Sequence, residues 1–260
     1  MVENAGPQGV SSTRNAGIAR ARGAVVAFLD DDAVAAPDWL ERMLGAYAGD
    51  ATMAVGGDIA PLWQVGRPAW FPSEFGWVVG CSYTGLPVRP AAVRNVIGTN
   101  MSFRHEVFDA IGGFDSGIGR VGRVPVGCDE TEFCVRASHR WPERTIVYDP
   151  GVKVSHHVPA RRSSLAYFVS RCYGEGRSKA LVSTRVGRRV ALSTELSYAA
   201  RILPAGVARG LRDTVRGDPS GLGRAAAIVA GLTATSIGFL AAGAGARRRR
   251  PGPGPVTSLR

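Results

Sequence analysis

The sequence has only four cysteines and no Cys-x-x-Cys pair. Cys81, Cys128, Cys134 and Cys172 are spaced irregularly, so neither a disulfide framework nor a structural zinc site is expected. The first residues, MVENAGPQGVSSTRNAG, contain no apolar stretch, so no secretory signal is expected. Both absences favour a reduced, cytoplasmic setting.

Acidic residues are scarce in the second part of the chain. Residues 151–260 contain 4 acidic and 19 basic residues, whereas residues 1–150 contain 17 acidic and 13 basic residues. A nearly neutral body with a basic tail is typical of an enzyme held at an anionic surface, so we expect an anionic membrane surface as a partner. Nucleic acid is the rival partner. It is not expected, because the sequence lacks a helix-turn-helix pattern and a basic motif interleaved with aromatic residues.

A helix, a strand and an acidic loop follow one another near the start of the chain. Residues 11–22 (SSTRNAGIARAR) predict a helix that Gly23 ends. Residues 24–29 (AVVAFL) form an unbroken apolar run, which is typical of a buried parallel strand. Residues 30–32 are three aspartates. This order indicates an α/β domain, in which functional residues gather at the carboxyl ends of strands.

The three aspartates predict a metal site. Successive carboxylates at the end of a strand repel one another and cost folding energy unless a cation binds them. Mg²⁺ or Mn²⁺ would suit, because both prefer oxygen ligands and can bridge to phosphates. The spacing lets one of Asp30 and Asp32 meet the metal while the other meets a ribose or the same metal. The alternative is an N-cap for the helix near Pro37, for which one aspartate would suffice.

Residues 12–40 (STRNAGIARARGAVVAFLDDDAVAAPDWL) resemble the middle of the catalytic domain of family 2 glycosyltransferases. Members typically have an [S/A]-R-N-x-G helix, an apolar strand, a DxD motif, and then Pro and Trp-Leu. The resemblance implies a GT-A fold, a Rossmann-like mixed sheet flanked by helices, and a nucleotide-diphospho-sugar donor. It also implies that Asp32 binds the metal on the donor diphosphate, that Asp30 assists on the nucleotide side, and that Arg14 and Asn15 border the nucleotide.

A second segment extends the resemblance. Residues 98–115 (GTNMSFRHEVFDAIGGFD) resemble the family's G-x-N-x-x-x-R…GGFD segment, whose loop lies beside the donor sugar. The resemblance implies that Gly98 and Asn100 contribute to donor binding.

Residues 127–137 (GCDETEFCVRA) resemble the acidic-pair motif of the family. The resemblance implies that Glu130 is the general base and Asp129 its support, although the second position is commonly Asp in the family. The alternative is a solvated acidic N-terminus of a helix. One carboxylate base without an enzyme nucleophile implies a single displacement with inversion.

Residues 147–180 resemble the strand, histidine and helix that close the family's catalytic domain. His157 is the expected third metal ligand, with His156 as its alternative, and either could instead contact the diphosphate or lie unused on the surface. Several basic residues that follow could neutralise the leaving diphosphate: Arg161, Arg162, Arg171, Arg177 and Lys179. The aromatic-rich segment 61–95 is predicted to be an irregular insertion of the kind that lines acceptor sites, and the acceptor is expected to be a carbohydrate or a lipid-linked molecule.

Family members begin with a strand and loop that this chain lacks, so the resemblance covers about residues 8–180. A sheet without its first strands is expected to have an unpaired edge. A non-catalytic nucleotide-sugar-binding or membrane-associated relative is therefore the alternative function. A nucleotidyltransferase of similar fold would also use paired aspartates, but the GGFD sequence followed by an acidic helix argues against it.

The tail of the chain contains a long uncharged segment. Residues 225–246 have no charged residue, and a helix of that length would span a bilayer core of roughly 30 Å. Arginine clusters flank it on both sides, which disfavours a single span and favours a helix in the interface at the cytoplasmic face of the membrane. A span and a soluble packing helix are the alternatives. The predicted parts are a partial catalytic domain (1–180), a helical, membrane-associated extension (181–246) and a disordered basic tail (247–260).

Overall fold

The computed structural model describes residue 6, residues 8–117 and residues 127–248. Two short 3-10 helices, Ser73–Val79 and Ala160–Ser163, accompany the regular elements of this part of the chain. The strands are β1 (Val25–Leu29), β2 (Ala33–Ala35), β3 (Thr52–Trp63), β4 (Ala91–Val93), β5 (Asn100–Arg104) and β6 (Thr145–Val158). The α-helices are α1 (Val10–Ile18), α2 (Trp39–Gly45), α3 (His105–Ile111), α4 (Asp129–Arg140), α5 (Leu165–Val186), α6 (Arg188–Val215) and α7 (Ser220–Arg248).

The six strands form one mixed sheet. Their order is β1-β5-β3-β6-β2, and β4 pairs with β6 away from this path. β3 and β6 are parallel, whereas the other pairs are antiparallel. The expected mixed sheet flanked by helices is therefore confirmed.

The strand β1 differs from the prediction of a buried parallel strand. It lies at the edge of the described sheet and pairs antiparallel with β5, from Val25 opposite Arg104 to Leu29 opposite Asn100. Val26 is buried, but Leu29 is 40% exposed. A short apolar run shows that a strand packs on a core, but it does not encode the direction of the neighbouring strand.

The structure also contains more regular structure than the sequence predicted after β2. The segment 61–95, predicted to be irregular, contains the end of β3, the first 3-10 helix and β4. The sequence predicts two short strands at 146–148 and 152–155, but the structure has one strand, β6, with an irregularity in its pairing to β3. Of the predicted tail, residues 249–260 lie outside the described residues.

The first hydrophobic cluster fixes α4 to β1, β5 and α3. Its aromatic side chains make mostly edge-to-face contacts, which are favourable beyond the area they bury. The rings belong to Phe28, Phe103, Phe108, Phe114 and Phe133. Because α4 begins with the acidic pair, this cluster determines where that pair lies.

The second hydrophobic cluster joins the sheet to the C-terminal helices. Phe71, Phe75 and Phe168 pack together, and Leu203 of α6 and Ile228 of α7 are buried in the same cluster. Side chains from both sides of the predicted boundary at residue 180 thus share one core. The division of the chain into a catalytic domain and an extension stays a prediction.

Candidate active site

The two outer aspartates of the acidic loop lie directly after β1. The Ala33 amide donates to the Asp30 carbonyl oxygen at 3.0 Å, which turns the chain into β2. β2 pairs with β6 so that Ala33 lies opposite His156. One ligand atom each of Asp30, Asp32 and His156 therefore lie within 4.8 Å of one another. Two carboxylates and an imidazole can bind a divalent cation such as Mn²⁺.

The structure brings His156 to this group and places the His157 side chain elsewhere. His156 is buried, and its Nε2 lies 3.0 Å from Asp32 Oδ1. His157 is exposed, because successive side chains of a strand point to opposite faces. Its backbone amide donates to the Asp32 carbonyl oxygen at 2.8 Å and so fixes the loop. Of the two histidines considered as a third ligand, the geometry favours His156 over the predicted His157.

Asp30 is held by residues from two other elements. Thr99 Oγ1 donates to Asp30 Oδ2 at 2.8 Å, and Arg14 Nη2 lies 3.8 Å from Asp30 Oδ1. The side chains of Asp30 and Asp32 are 38% and 35% exposed, so a ligand can reach both carboxylates from solvent. A Cβ atom at Gly98 would lie 2.4 Å from Arg14 Nη2. Gly98 therefore leaves room for the guanidinium that contacts Asp30.

The acidic pair opens α4, where the positive end of the helix dipole favours carboxylates. Asp129 Oδ2 accepts hydrogen bonds from Ser11 Oγ at 3.1 Å and from Arg14 Nη1 at 3.0 Å. Ser11 and Arg14 reach the same oxygen because residues three apart share one face of a helix. Asp129 is buried, so these charge-assisted bonds are shielded from water.

Glu130, the other carboxyl of the pair, is partly exposed and has a raised pKa. Burial and the neighbouring Asp129 carboxylate raise the pKa of Glu130 to about 8, while Arg14 acts in the opposite direction. A carboxyl group whose pKa lies near neutral pH can accept and return a proton. The two carboxyls thus differ: Asp129 is anchored by hydrogen bonds, and Glu130 is suited to proton transfer.

A single guanidinium joins the two acidic motifs. Arg14 donates to Asp129 and lies beside Asp30, and its side chain is only 12% exposed. The acidic loop and the start of α4, which lie far apart in the sequence, therefore form one cluster. The expectation that Arg14 borders a nucleotide remains a prediction, but its position between the carboxylates is an observation.

Asn15 fixes the turn that follows α3. Its Nδ2 donates to the Phe114 carbonyl oxygen, and the Phe114 amide donates to its Oδ1, both at 2.8 Å. A Cβ atom at Gly113 would lie 2.2 Å from Asn15 Oδ1, so the Gly-Gly-Phe-Asp sequence makes room for this amide. A donor contact by Asn15 would have to share or replace these bonds.

Asn100 is fully buried and all its amide atoms are used within the protein. Its Nδ2 donates to the carbonyl oxygens of Asp58 at 3.1 Å and Val152 at 2.9 Å. Trp39 Nε1 donates to its Oδ1 at 2.9 Å. These contacts assign Asn100 a structural role at the irregular pairing of β3 and β6, and they do not bring it to the acidic cluster.

The basic residues expected near the diphosphate occupy different positions. Arg162 Nη2 lies 3.8 Å from Asp32 Oδ2, so Arg162 belongs to the acidic cluster. Arg171 and Lys179 form ion pairs with Glu175 on α5. Arg161 and Arg177 are exposed. Only Arg162 of this group contacts the aspartates of the acidic loop in the described part of the chain.

Cys128 sets the direction in which α4 begins. It precedes the acidic pair and has a left-handed backbone, with φ of 73°, which is unfavourable for residues other than glycine. Its thiol donates to Glu175 Oε1 at 3.1 Å, and burial raises the thiol pKa well above its ordinary value. The amide of Gly127 also donates to Ser178 Oγ of α5. The helix α5 therefore holds the start of α4.

Sequence reasoning missed two residues of the cluster. Ser11 lies three residues before Arg14 on α1, and Thr99 lies between the two predicted residues Gly98 and Asn100. Helical spacing could have identified Ser11, whereas the bond from Thr99 to Asp30 depends on the pairing of β1 with β5 and carries no local signal.

Comparisons with known proteins agree with the motifs. Residues 1–112 match the family described as glycosyl transferase family 2. The glucosyl-dolichyl phosphate glucuronosyltransferase of Haloferax volcanii is 37% identical over 173 residues, which cover 66% of this chain and 55% of that protein. The succinoglycan biosynthesis protein ExoM of Rhizobium meliloti is 27% identical over 171 residues, which cover 65% of this chain and 51% of that protein. The chain spans about half the length of these two curated relatives.

A solved structure of GalNAc-T7 with UDP, GalNAc and Mn²⁺ is also similar, at 16% sequence identity and a TM-score of 0.44. The similarity covers 70% of this chain and 40% of that one. The family match contains Arg14, Asp30 and Asp32 and ends before the acidic pair.

Proposed function

We propose that the chain is a family 2 glycosyltransferase of the GT-A fold, and that it transfers a sugar from a nucleotide-diphospho-sugar to an acceptor hydroxyl by a metal-dependent displacement with inversion. The observation that carries this proposal is the cluster in which Arg14 joins Asp30 to Asp129. It brings a candidate cation site and a candidate base together.

Asp30, Asp32 and His156 are the residues that would hold the cation. Their ligand atoms are within 4.8 Å of one another, and both carboxylates are accessible from solvent. The ring of His156 is held in place because its other nitrogen, Nδ1, lies 3.6 Å from the Cys81 thiol. When bound, a divalent cation would neutralise charge on the donor diphosphate.

Glu130 acts as the base. An acceptor hydroxyl is a poor nucleophile until a carboxylate takes its proton during attack on the anomeric carbon. The raised pKa of Glu130 makes its carboxylate a stronger base than an ordinary glutamate, and Asp129 beside it remains bonded to Ser11 and Arg14. Direct attack by the acceptor inverts the configuration at the anomeric carbon.

Arg162 supports the departure of the nucleoside diphosphate. Its guanidinium lies 3.8 Å from Asp32 and its side chain is 13% exposed, so its positive charge is only partly screened by water. A preorganised cation of this kind favours the state in which negative charge develops on the bridging oxygen. Arg14 adds a second guanidinium on the Asp30 side of the cluster.

Titration of the purified chain with UDP, GDP and TDP, with and without Mn²⁺, tests the donor site. We expect Mn²⁺-dependent binding of one of these nucleotides and at least a tenfold loss of affinity in Asp32→Asn. Asp31→Asn is the matched control, because Asp31 is an exposed carboxylate of the same loop outside the three-residue group. Binding that is independent of both Mn²⁺ and Asp32 would contradict the proposal.

The acceptor is proposed to be a lipid-linked saccharide. The Haloferax relative is named for a glucosyl-dolichyl phosphate acceptor, and α7 of this chain is long and apolar enough to cross a membrane.

We place the chain at the cytoplasmic face of the cell membrane, with α7 lying in the interface. Its inner face packs on the protein, where Gly231 lies against Phe75 and Phe168, and a transmembrane α7 would lose these contacts.

A further inference from the structure

A cavity of about 580 Å³ lies outside the acidic cluster. Its walls are formed by β3, β6, the first 3-10 helix and the loop of residues 81–88. Aromatic and charged side chains are combined in it, including Asp58, Trp63, Phe71, Tyr83, Tyr148 and Lys153. This combination of flat apolar surface and a few polar groups is typical of a binding site for a small molecule.

The irregular pairing of β3 and β6 creates the charged part of the wall. Gly57 lies opposite Asp149, but the next residue, Asp58, lies opposite Lys153. The extra residues of β6 form a bulge, which bends the strand. Asn100 closes the bulge through its hydrogen bonds to the backbone of Asp58 and Val152. The bulge thus brings Asp58 and Lys153 into register, and both residues line the cavity.

The polar groups of the cavity are arranged for hydrogen bonding. Tyr148 Oη lies 3.4 Å from Asp58 Oδ1 and 3.3 Å from Ser82 Oγ. Lys153 is exposed and forms no ion pair with the described residues. The indole nitrogen of Trp63 is buried and has no hydrogen-bond partner in that part of the chain, although such N–H groups usually find one.

From these observations we infer that the cavity binds a saccharide. A carboxylate, an ammonium group and phenolic hydroxyls can bond to the hydroxyls of a pyranose, while aromatic rings pack against its apolar face. An apolar ligand would displace water from Asp58 and Lys153 without replacing the hydrogen bonds of that water, which costs free energy. The wall carries charges of both signs, because Arg67 and Lys153 line the cavity together with Asp58, and hydroxyl groups can bond to both.

The saccharide site is next to the acidic cluster. Cys81 is part of the cavity wall, and its Sγ lies 3.6 Å from Nδ1 of His156, whose Nε2 contacts Asp32. The bound saccharide is therefore the sugar of the acceptor. This assignment to the acceptor rests on the proposed function, whereas saccharide binding itself does not.

Saturation-transfer NMR with methyl β-glucopyranoside, methyl β-galactopyranoside and methyl β-glucuronide tests the inference. Cyclohexylmethanol serves as a ring of similar size without the hydroxyl array. We expect transfer to at least one glycoside and a Kd at least tenfold weaker in Asp58→Asn and in Trp63→Phe, which removes the indole N–H and keeps a ring. Glu41→Gln, an exposed carboxylate on α2, is the control.

The outcomes separate this inference from the proposed function. No transfer to any glycoside, equal transfer to cyclohexylmethanol, or unchanged affinity in both cavity variants would overturn it. If thermal denaturation shows that one variant is not folded, the affinity of the other variant decides the test. Binding of Mn²⁺ and a nucleoside diphosphate, measured on the same samples, is expected to be unchanged in both variants. If the protein binds a glycoside but does not bind Mn²⁺ and a nucleoside diphosphate, the result contradicts the proposed donor site and leaves the saccharide site standing.

Discussion

His156 and His157 are adjacent in sequence, but only one of them faces the aspartates. His156 Nε2 lies 3.0 Å from Asp32, and the side chain of His157 is exposed on the other face of β6. We expect His156→Ala to weaken Mn²⁺-dependent binding of a nucleoside diphosphate at least tenfold, and His157→Ala to change it less than threefold. Calorimetric titration measures both. Equal losses in the two variants would contradict the assignment of His156 as a ligand.

Replacement of Glu130 tests the proposed base. Glu130→Gln preserves the shape of the side chain but cannot accept a proton, so transfer should fall about 10²–10⁴-fold. The rate is measured as release of nucleoside diphosphate, and Glu41→Gln should leave it unchanged. Binding of the nucleotide should persist in Glu130→Gln. If nucleotide binding is lost instead, Glu130 belongs to the donor site.

The raised pKa of Glu130 also predicts a pH dependence of stability. A folded-state pKa of about 8 lies above the ordinary value of 4.5. Folding therefore favours the protonated form, and stability is fully present below about pH 4.5 and lost as the pH rises toward 8. Glu130→Gln should raise the melting temperature at pH 9, by about 2–4 °C for each kcal/mol regained. At pH 4 the two proteins should melt within 1 °C or so of each other.

Glu41→Gln controls for the loss of one negative charge and should show the same difference at both pH values. A Glu130→Gln protein that is less stable than the parent at pH 9 would show that the carboxylate form is favoured in the fold. Because Glu130 and Asp129 are neighbours, the transition reports the pair and can be broader than that of a single group.

Residue types at the site were more predictable from sequence than their partners. The motifs predicted Asp30, Asp32 and the acidic pair. Arg14 contacts Asp30 and Asp129, Asp32 lies close to Asp30, and Glu130 lies beside Asp129. The choice between the two histidines depends on the register of β2 with β6, which is a long-range pairing. Asn15 and Asn100 were expected to bind the donor, but their side chains bond to backbone groups. The sequence does not distinguish an asparagine that binds a ligand from one that stabilises the backbone.

At the scale of elements, the start of α4 depends on the strained backbone of Cys128. Its φ of 73° favours glycine, so Cys128→Gly should be more stable than Cys128→Ala by about 1 kcal/mol, although glycine usually destabilises. Cys134 lies within α4 and is also buried, so there the alanine variant should be the more stable by about 1 kcal/mol. Urea unfolding of the four variants measures both differences. If the alanine variant is the more stable one at both positions, the left-handed conformation of Cys128 carries no cost.

Elements were predicted well where they are local and poorly where they depend on pairing. The sequence predicts helices over 104–111 and from near Asp129 toward His139, and α3 and α4 agree with these bounds within one residue. The direction of β1 was wrong because its neighbour β5 lies far along the chain. The join of two predicted strands into β6 was missed because Pro150 and Gly151 look like a turn but form a bulge against β3.

At the scale of the whole molecule, α7 has two different faces. The inner face is close-packed through small residues: Gly176 of α5 faces Thr235, and Gly238 faces Tyr173. The outer face exposes Leu222, Val229, Leu232, Ile237 and Leu240. An exposed helix face in water normally carries charges, yet residues 225–246 carry none. Basic residues lie on both sides of this stretch, which suits an anionic lipid surface.

Flotation with vesicles tests whether the outer face of α7 binds lipid. The chain should float with vesicles that contain 30% or so phosphatidylglycerol and much less with pure phosphatidylcholine, because arginines add attraction to anionic lipid. Val229→Glu with Ile237→Glu should reduce the bound fraction at least fivefold, since both charges would enter the apolar layer. Leu196→Glu with Leu211→Glu adds the same charge to exposed positions of α6 and is the matched control. Equal losses in the two double variants would show that net charge alone governs binding. A carbonate wash distinguishes the two membrane positions of α7. Retention of the chain on membranes after this wash would favour a transmembrane α7 over an interfacial one.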